Sequence, residues 1–321
     1  MALKIGLHTF LRGAMASRRD ITAIAQCADK LGFSHIGIND HIVVPTDINS
    51  RYPYTAEGTW PGRAFGEALE MLTTMSFVAG CTDRIRILSS VMILPYRPAV
   101  LTAKMLSTAD VLSAGRIIAG VGVGWMPEEF EALGAPAFAQ RGAVGDEYLD
   151  AFRKLWEEEH PAMAGQHVSF GNITFMPKPQ QTPRLPIWIG GESAVALRRT
   201  MKWGDGWYPA SNNPQNPLDS IARISAAEAQ LRAACEAAGC DRSTKHMALV
   251  LLSAVEWSRH ETRDGERRLF TGSTEEMIAD GNALSQAGVD HISLIFQTAD
   301  AQETCDRMQR FAEEVMPFLE G

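Results

Sequence analysis

Arg116-Ile117-Ile118-Ala119-Gly120-Val121-Gly122-Val123-Gly124-Trp125 reads as a buried strand that runs into a turn made almost wholly of glycine. A second stretch repeats the design: Pro186-Ile187-Trp188-Ile189-Gly190-Gly191-Glu192-Ser193, followed by a helical run from Ala194 to Lys202. Glycine after a strand admits backbone conformations closed to other residues and lets a ligand approach the main chain. Where a helix then begins, its free N–H groups and dipole suit a phosphate. Two such corners predict a phosphate-bearing cofactor at the carboxyl ends of parallel strands.

The 321 residues allow one large domain or two small ones. Apolar residues at 45% and charged residues at 21% are ordinary globular values, so a sizeable core is available. A net charge of -8 argues against broad nucleic-acid binding, which needs a basic surface. It leaves anionic ligands open, because glycine corners bind phosphate through backbone N–H groups. Met1 to His8 reads as the start of a strand rather than a signal peptide. No apolar run approaches membrane-spanning length, so no membrane partner is expected. Five cysteines (Cys27, Cys81, Cys235, Cys240, Cys305) contain no C-x-x-C pair and no zinc spacing. A reduced cytoplasmic protein without a structural metal is the expectation.

Outward from the two corners, short apolar runs alternate with amphipathic helical patterns. The strands are Leu3–Thr9, His35–Ile38, Ile85–Leu94, Arg116–Val121, Leu185–Ile189, Gly206–Tyr208, Met247–Val255 and His291–Ile295. The helices between them are Asp20–Leu31, Gly66–Gly80, Ala99–Ser113, Val144–Glu157, Ser193–Lys202, Asn216–Ala238, Thr274–Ala287 and Ala301–Phe318. Eight of each, in alternation, predict a single (β/α)8 TIM barrel over residues 1–321. Ser273-Thr274-Glu275-Glu276 opens a helix with a cap residue and first-turn carboxylates. Leu31-Gly32 and Ala287-Gly288 place glycine just past a helix end.

Four connections exceed the usual short loop and are expected at the C-terminal face: about 39–65, 122–142, 161–184 and 256–272. In the third, Gln166–Phe170 and Ile173–Met176 flank Gly171-Asn172 and predict a hairpin turning there. The fourth is polar and is expected to be a mobile excursion.

Asn39-Asp40-His41 stands at the end of the second strand, where a barrel gathers its catalytic side chains. An imidazole titrates near neutral pH, so His41 suits proton transfer; a turn residue capping the strand is the plainer reading. Ser89 and Ser90 put small residues into the otherwise bulky third strand, which by residue type alone is a packing bulge. His8 ends strand one on the same face and is a substrate-pocket candidate. Trp60, Trp125, Tyr52 and Tyr54 either wall an aromatic pocket or plug the barrel mouth. His160, His167, His246 and His260 show no metal spacing. The first corner departs from the dinucleotide fingerprint: it is G-x-G-x-G, follows the fourth strand, and meets Trp125-Met126-Pro127 instead of a helix. No serine or cysteine occupies a nucleophile-elbow context.

With these phrases in order, the chain resembles the bacterial luciferase-like monooxygenase superfamily, and most of all its branch that uses the deazaflavin coenzyme F420. The matching phrases are Asp40-His41; Ser90-Val91 with Pro95-Tyr96-Arg97-Pro98; Gly120 to Trp125 with Glu128-Glu129-Phe130; Arg141-Gly142 with Asp146-Glu147; Pro186 to Gly191; and Gly204-Asp205-Gly206-Trp207. They run from strand one to about Tyr208, and the last third matches mainly in rhythm. The resemblance implies a ring system in the barrel mouth and a phosphate against the glycine corners Gly122-Val123-Gly124 and Gly190-Gly191. It implies a non-proline cis peptide at Ser90-Val91 that backs the ring, Asp40 against the ring, and His41 as proton donor or polariser. The sugar-phosphate dehydrogenases of this branch carry an acid-catalyst glutamate after the first corner, where this chain has Trp125. An apolar or aromatic substrate is therefore expected.

The resulting expectation is a homodimeric oxidoreductase that moves hydride between coenzyme F420 and a small organic substrate. An FMN-dependent monooxygenase of the same superfamily is the nearest alternative. A non-catalytic flavin-binding barrel is an alternative of another class.

Overall fold

The apolar runs become eight parallel strands because each must be covered on both faces. In the fourth, Ile117, Ala119 and Val121 pack outward under helices, while Ile118 faces the interior with Leu88, Trp188, Tyr208, Ala248 and Val250. The computed structural model describes residues 3–10, 12, 16–64 and 68–319. Its strands are β1 (Lys4–Thr9), β2 (His35–Ile38), β3 (Arg86–Ser89), β4 (Ile117–Gly122), β5 (Ile187–Gly190), β6 (Gly206–Tyr208), β7 (His246–Ala254) and β8 (His291–Ile295).

Each strand pairs in parallel with the next. The ring closes where Lys4 of β1 registers with His291 of β8, and Ile87 of β3 with Ile117 of β4 joins the two halves. This is the expected TIM barrel. Around it lie α1 (Arg18–Leu31), α2 (Met71–Cys81), α3 (Ala99–Leu112), α4 (Pro127–Ala132), α5 (Arg141–Glu157), α6 (Ala194–Trp203), α7 (Ile221–Ala238), α8 (Thr274–Gln286) and α9 (Ala301–Glu314). No helix among the described residues is long and apolar enough to cross a membrane. The predicted corners hold. Gly32 stops α1 at φ 82°, its N–H bonded back to Ala28 and Asp29, and Ser273 with Glu276 forms a reciprocal capping box on α8.

Three local expectations are corrected. The third strand does not run unbroken from Ile85 to Leu94. It ends at Ser89, the Ser90–Val91 peptide is cis, and Met92–Ile93 pairs separately with Val121 and Gly122 of β4. The second helix starts at Met71, because Glu70 accepts from Thr73 N as its cap; Gly66, its expected start, lies outside the described residues. The inserted hairpin pairs Met163–Ala164 with Ser169–Phe170, so it turns before Gly171-Asn172. Glu147 of α5 decides this by accepting from the amides of Gln166, His167 and Val168. At the end of the 256–272 segment Leu269, Phe270 and Thr271 are buried and Arg267 pairs with Asp280 of α8, while Ser258, Arg259 and residues 263–266 are exposed.

Candidate active site

The carboxyl ends of β1, β2, β3, β5, β6 and β7 open onto a cavity of about 140 Å³ at the barrel mouth. Of the residues singled out in the sequence, His8, Asn39, Asp40, His41, Tyr52, Tyr54, Trp60, Ser90, Val91, Trp125, Gly190 and Gly191 line it. Gly122, Val123 and Gly124 do not.

The two glycine corners therefore differ in placement. At Gly122 a Cβ would lie 2.8 Å from Val91 Cγ2, and at Gly190 one would lie 3.0 Å from Val91 Cγ1. Both glycines make room for the Val91 side chain on the cis bulge. Gly120 lets the bulge approach, since a Cβ there would lie 2.1 Å from Ser89 O. Gly124 has φ 84° and packs under Phe130 and Ile93, while the Val123 side chain sits against Gly145 of α5. Gly191 is different. It has φ 103°, and a Cβ there would meet nothing nearer than Ala196 Cβ at 3.5 Å. The cavity wall at Gly191 is bare backbone, a cradle that any side chain would fill.

Asp40 is fully enclosed. Its Oδ2 accepts from Ile93 N at 2.9 Å and from Arg97 Nη1 at 2.9 Å, and its Oδ1 accepts from Arg97 Nη2 at 2.8 Å. Arg97 reaches on to Glu70 Oε1 at 2.7 Å. This forked ion pair fixes the turn that follows the bulge. Asp40 thus holds the cavity wall with a carboxylate whose two oxygens are already engaged.

His41 has a buried partner that its local sequence does not announce. Its Nδ1 lies 2.8 Å from Glu129 Oε2. The same carboxylate accepts from Tyr96 OH at 2.8 Å, Ile42 N at 2.7 Å and Val43 N at 3.3 Å. Burial and the adjacent Glu129 push the Tyr96 phenol up, so it donates. A carboxylate only accepts, so His41 carries its proton on Nδ1 and leaves Nε2 without a protein partner among the described residues. The imidazole is 11% exposed and packs 4.3 Å from the Trp60 ring. Trp60 and Tyr52 meet Trp125 at 6.0 and 5.1 Å, which completes an aromatic wall.

His8 heads a buried string of hydroxyl and imidazole groups running down the barrel axis. Ser34 Oγ donates to Ile5 O, so His35 Nδ1 must donate to Ser34 Oγ at 2.8 Å. His35 Nε2 then accepts from Ser293 Oγ at 2.7 Å, and Tyr208 OH donates to Ser293 Oγ at 2.8 Å. Ser90 Oγ donates to Tyr208 OH at 2.9 Å, and His8 Nδ1 donates to Ser90 Oγ at 2.9 Å. Burial lowers both imidazoles to about 3, which keeps them neutral.

A cis bulge between glycine corners, an aromatic wall and a carboxylate-held histidine meet at the mouth of one barrel. The family model for luciferase-like monooxygenases matches residues 5–314. The chain belongs to that family. An uncharacterized protein of Mycobacterium tuberculosis is 32% identical over 204 residues, 63% of this chain and 68% of the relative. The FMNH(2)-dependent dimethylsulfone monooxygenase of Pseudomonas putida is 30% identical over 146 residues, 45% of this chain and 40% of that enzyme. The coenzyme F420-dependent tetrahydromethanopterin reductase of Methanopyrus kandleri superposes over the full length of both chains, with a TM-score of 0.75 at 13% identity, a likeness of fold. Membership in the luciferase-like monooxygenase family supports an oxidoreductase or monooxygenase. The mouth is lined by three groups with no role expected from the sequence, Tyr96, Tyr208 and Arg12, and a fourth, Glu129, is buried behind His41. Tyr96 and Glu129 lie inside phrases that carried the family resemblance, which was the one available signal.

Proposed function

We propose that this luciferase-like barrel transfers hydride between coenzyme F420 and a small organic substrate with an apolar or aromatic body. The observation that carries the reading is the mouth cavity itself, with Val91 on the cis bulge, bare backbone at Gly191, and His41 held by Glu129 on the rim. These residues fit a flat ring system: Val91 backs it, the Gly191 cradle admits its chain, and Gly190, Gly191 and the first turn of α6 take its phosphate. When bound, the cofactor supplies or accepts the hydride. The protein positions the reactants, excludes water with Trp60, Trp125 and Tyr52, and moves a proton at His41 Nε2. Glu129 keeps the Nδ1–H tautomer, so Nε2 takes a proton from an alcohol or, once protonated, gives one to a carbonyl.

Titrating apo-protein in parallel with FMN and coenzyme F420, read by fluorescence, tests this. The deazaflavin should bind more tightly; an FMN dissociation constant equal to or below it would overturn the assignment. The Pseudomonas putida relative, FMNH(2)-dependent by name, favours a second reading in which reduced FMN and oxygen are the reactants. Oxygen consumed in step with product formation identifies that case.

A further inference from the structure

Arg12 follows β1 and is 7% exposed. Its guanidinium carbon lies 5.1 Å from the Trp60 ring centroid and 5.4 Å from that of Phe10. Among the described residues the guanidinium makes no hydrogen bond and no ion pair, and its buried Nη1 has no partner. The carboxylate of Glu129, whose charge also acts on Arg12, is fully buried and already engaged by four donors. A buried cation without an ion-pair partner is disfavoured, and a planar guanidinium lying over aromatic rings is preset to receive a planar oxyanion in a fork.

Arg12 also stands at a boundary. It lines the mouth cavity and, with Phe10, Tyr52, Trp60 and Leu252, an adjoining cavity of about 450 Å³. That second chamber is walled largely by apolar groups such as Pro61, Ile295 and Ala299. Its size suits a small organic molecule.

From this juxtaposition we propose that Arg12 binds the carboxylate of an organic acid substrate whose apolar body fills the second chamber and whose reacting carbon faces Val91 and His41. The inference rests on reading this mouth as an active site and names the substrate class. The anion it commits to is the substrate's; the cofactor's phosphate is the competing source of the same chemistry.

The test titrates apo-protein with a graded series of arylalkanoates, from benzoate to phenylbutyrate, and with their neutral amides, reading fluorescence of Trp60 and Trp125. Carboxylates should bind more tightly than the matching amides, and Arg12→Met should remove about 10–100-fold of that affinity, the worth of hydrogen bonds to a charged group. Arg12→Met should also keep or raise the thermal midpoint, since it removes an unpaired buried charge; a purely structural arginine would lower it. Arg12→Lys, which keeps the charge but loses the fork, should fall between the two. The proposal is overturned if no carboxylate binds at millimolar concentration, if acids and amides bind alike, or if neither variant changes the preference. It is also overturned if Arg12→Met weakens the deazaflavin titration and leaves the acids unaffected, which assigns the anion to the cofactor. Because the acid titration needs no cofactor, failure of the deazaflavin to bind while acids bind through Arg12 would refute the cofactor assignment alone.

Discussion

His41 Nδ1 lies 2.8 Å from Glu129 Oε2, and that carboxylate is wholly enclosed by its four donors. The pair joins the loop after β2 to α4. Its neighbour Glu128 does the same lower down, accepting from Asn49 N at 2.8 Å and Ser50 N at 3.0 Å. Two adjacent acids on one short helix thus hold the long loop over the barrel mouth, and one of them also fixes the tautomer of the imidazole.

Glu129→Gln tests that second role. An amide keeps the shape but can present its NH2 to His41, which disturbs the tautomer. We expect turnover to fall by about 10–100-fold, the scale seen when a partner that orients a functional histidine is lost. The cofactor dissociation constant should stay within a few-fold of the parent. Unchanged turnover would make Glu129 a loop anchor only.

The shared contact of Gly122 and Gly190 with Val91 predicts a compensating pair. Gly122→Ala forces a Cβ to within 2.8 Å of Val91 Cγ2 and should cost about 1–3 kcal/mol of stability by overpacking. Val91→Ala in the same chain should restore most of it. Denaturant melts of the single and double variants measure the coupling, and strictly additive losses would show that the glycine serves something other than the bulge.

Much of the barrel was legible because a strand covered on both faces is an unbroken apolar run, and Ile117 to Val121 is such a run. The break at Ser90–Val91 is invisible to the same rule, since Val91, Met92 and Ile93 continue the apolar pattern; the small Ser89 and Ser90 suggested a bulge, and only the family resemblance pointed to a cis peptide. Turn chemistry misled at Gly171-Asn172, where Glu147 on another element decides the turn. Glu129 was unreadable as a partner of His41 because the two are 88 positions apart, and only the closed barrel brings them together. Arg12 was missed for the opposite reason: a lone arginine near a strand end looks like solvated surface until its burial and lack of an ion-pair partner are known.

The string below His8 makes a pH prediction. Burial lowers the native pKa of His35 to about 3, from an ordinary value of 6.5. The unfolded chain then takes up a proton between those values that the native state refuses, so stability is full above 6.5 and declines as pH falls toward 3. Between pH 6.5 and pH 5 His35 alone should remove about 2 kcal/mol. Urea melts of the parent and of His35→Gln across this range should show a shallower acid loss in the variant. Parallel profiles would mean that His35 is protonated in the native protein.

On this reading the mouth is a site of chemistry in which His41 handles a proton. His41→Ala, assayed for cofactor titration and for turnover on a working substrate, tests it most directly. The account predicts a nearly unchanged deazaflavin titration and a turnover number lowered by about 10²–10⁴-fold, the usual contribution of a positioned general acid or base. Near-normal turnover would contradict it and leave His41 as a loop residue packed on Trp60. Loss of cofactor binding would contradict it in another way, by making His41 a binding residue.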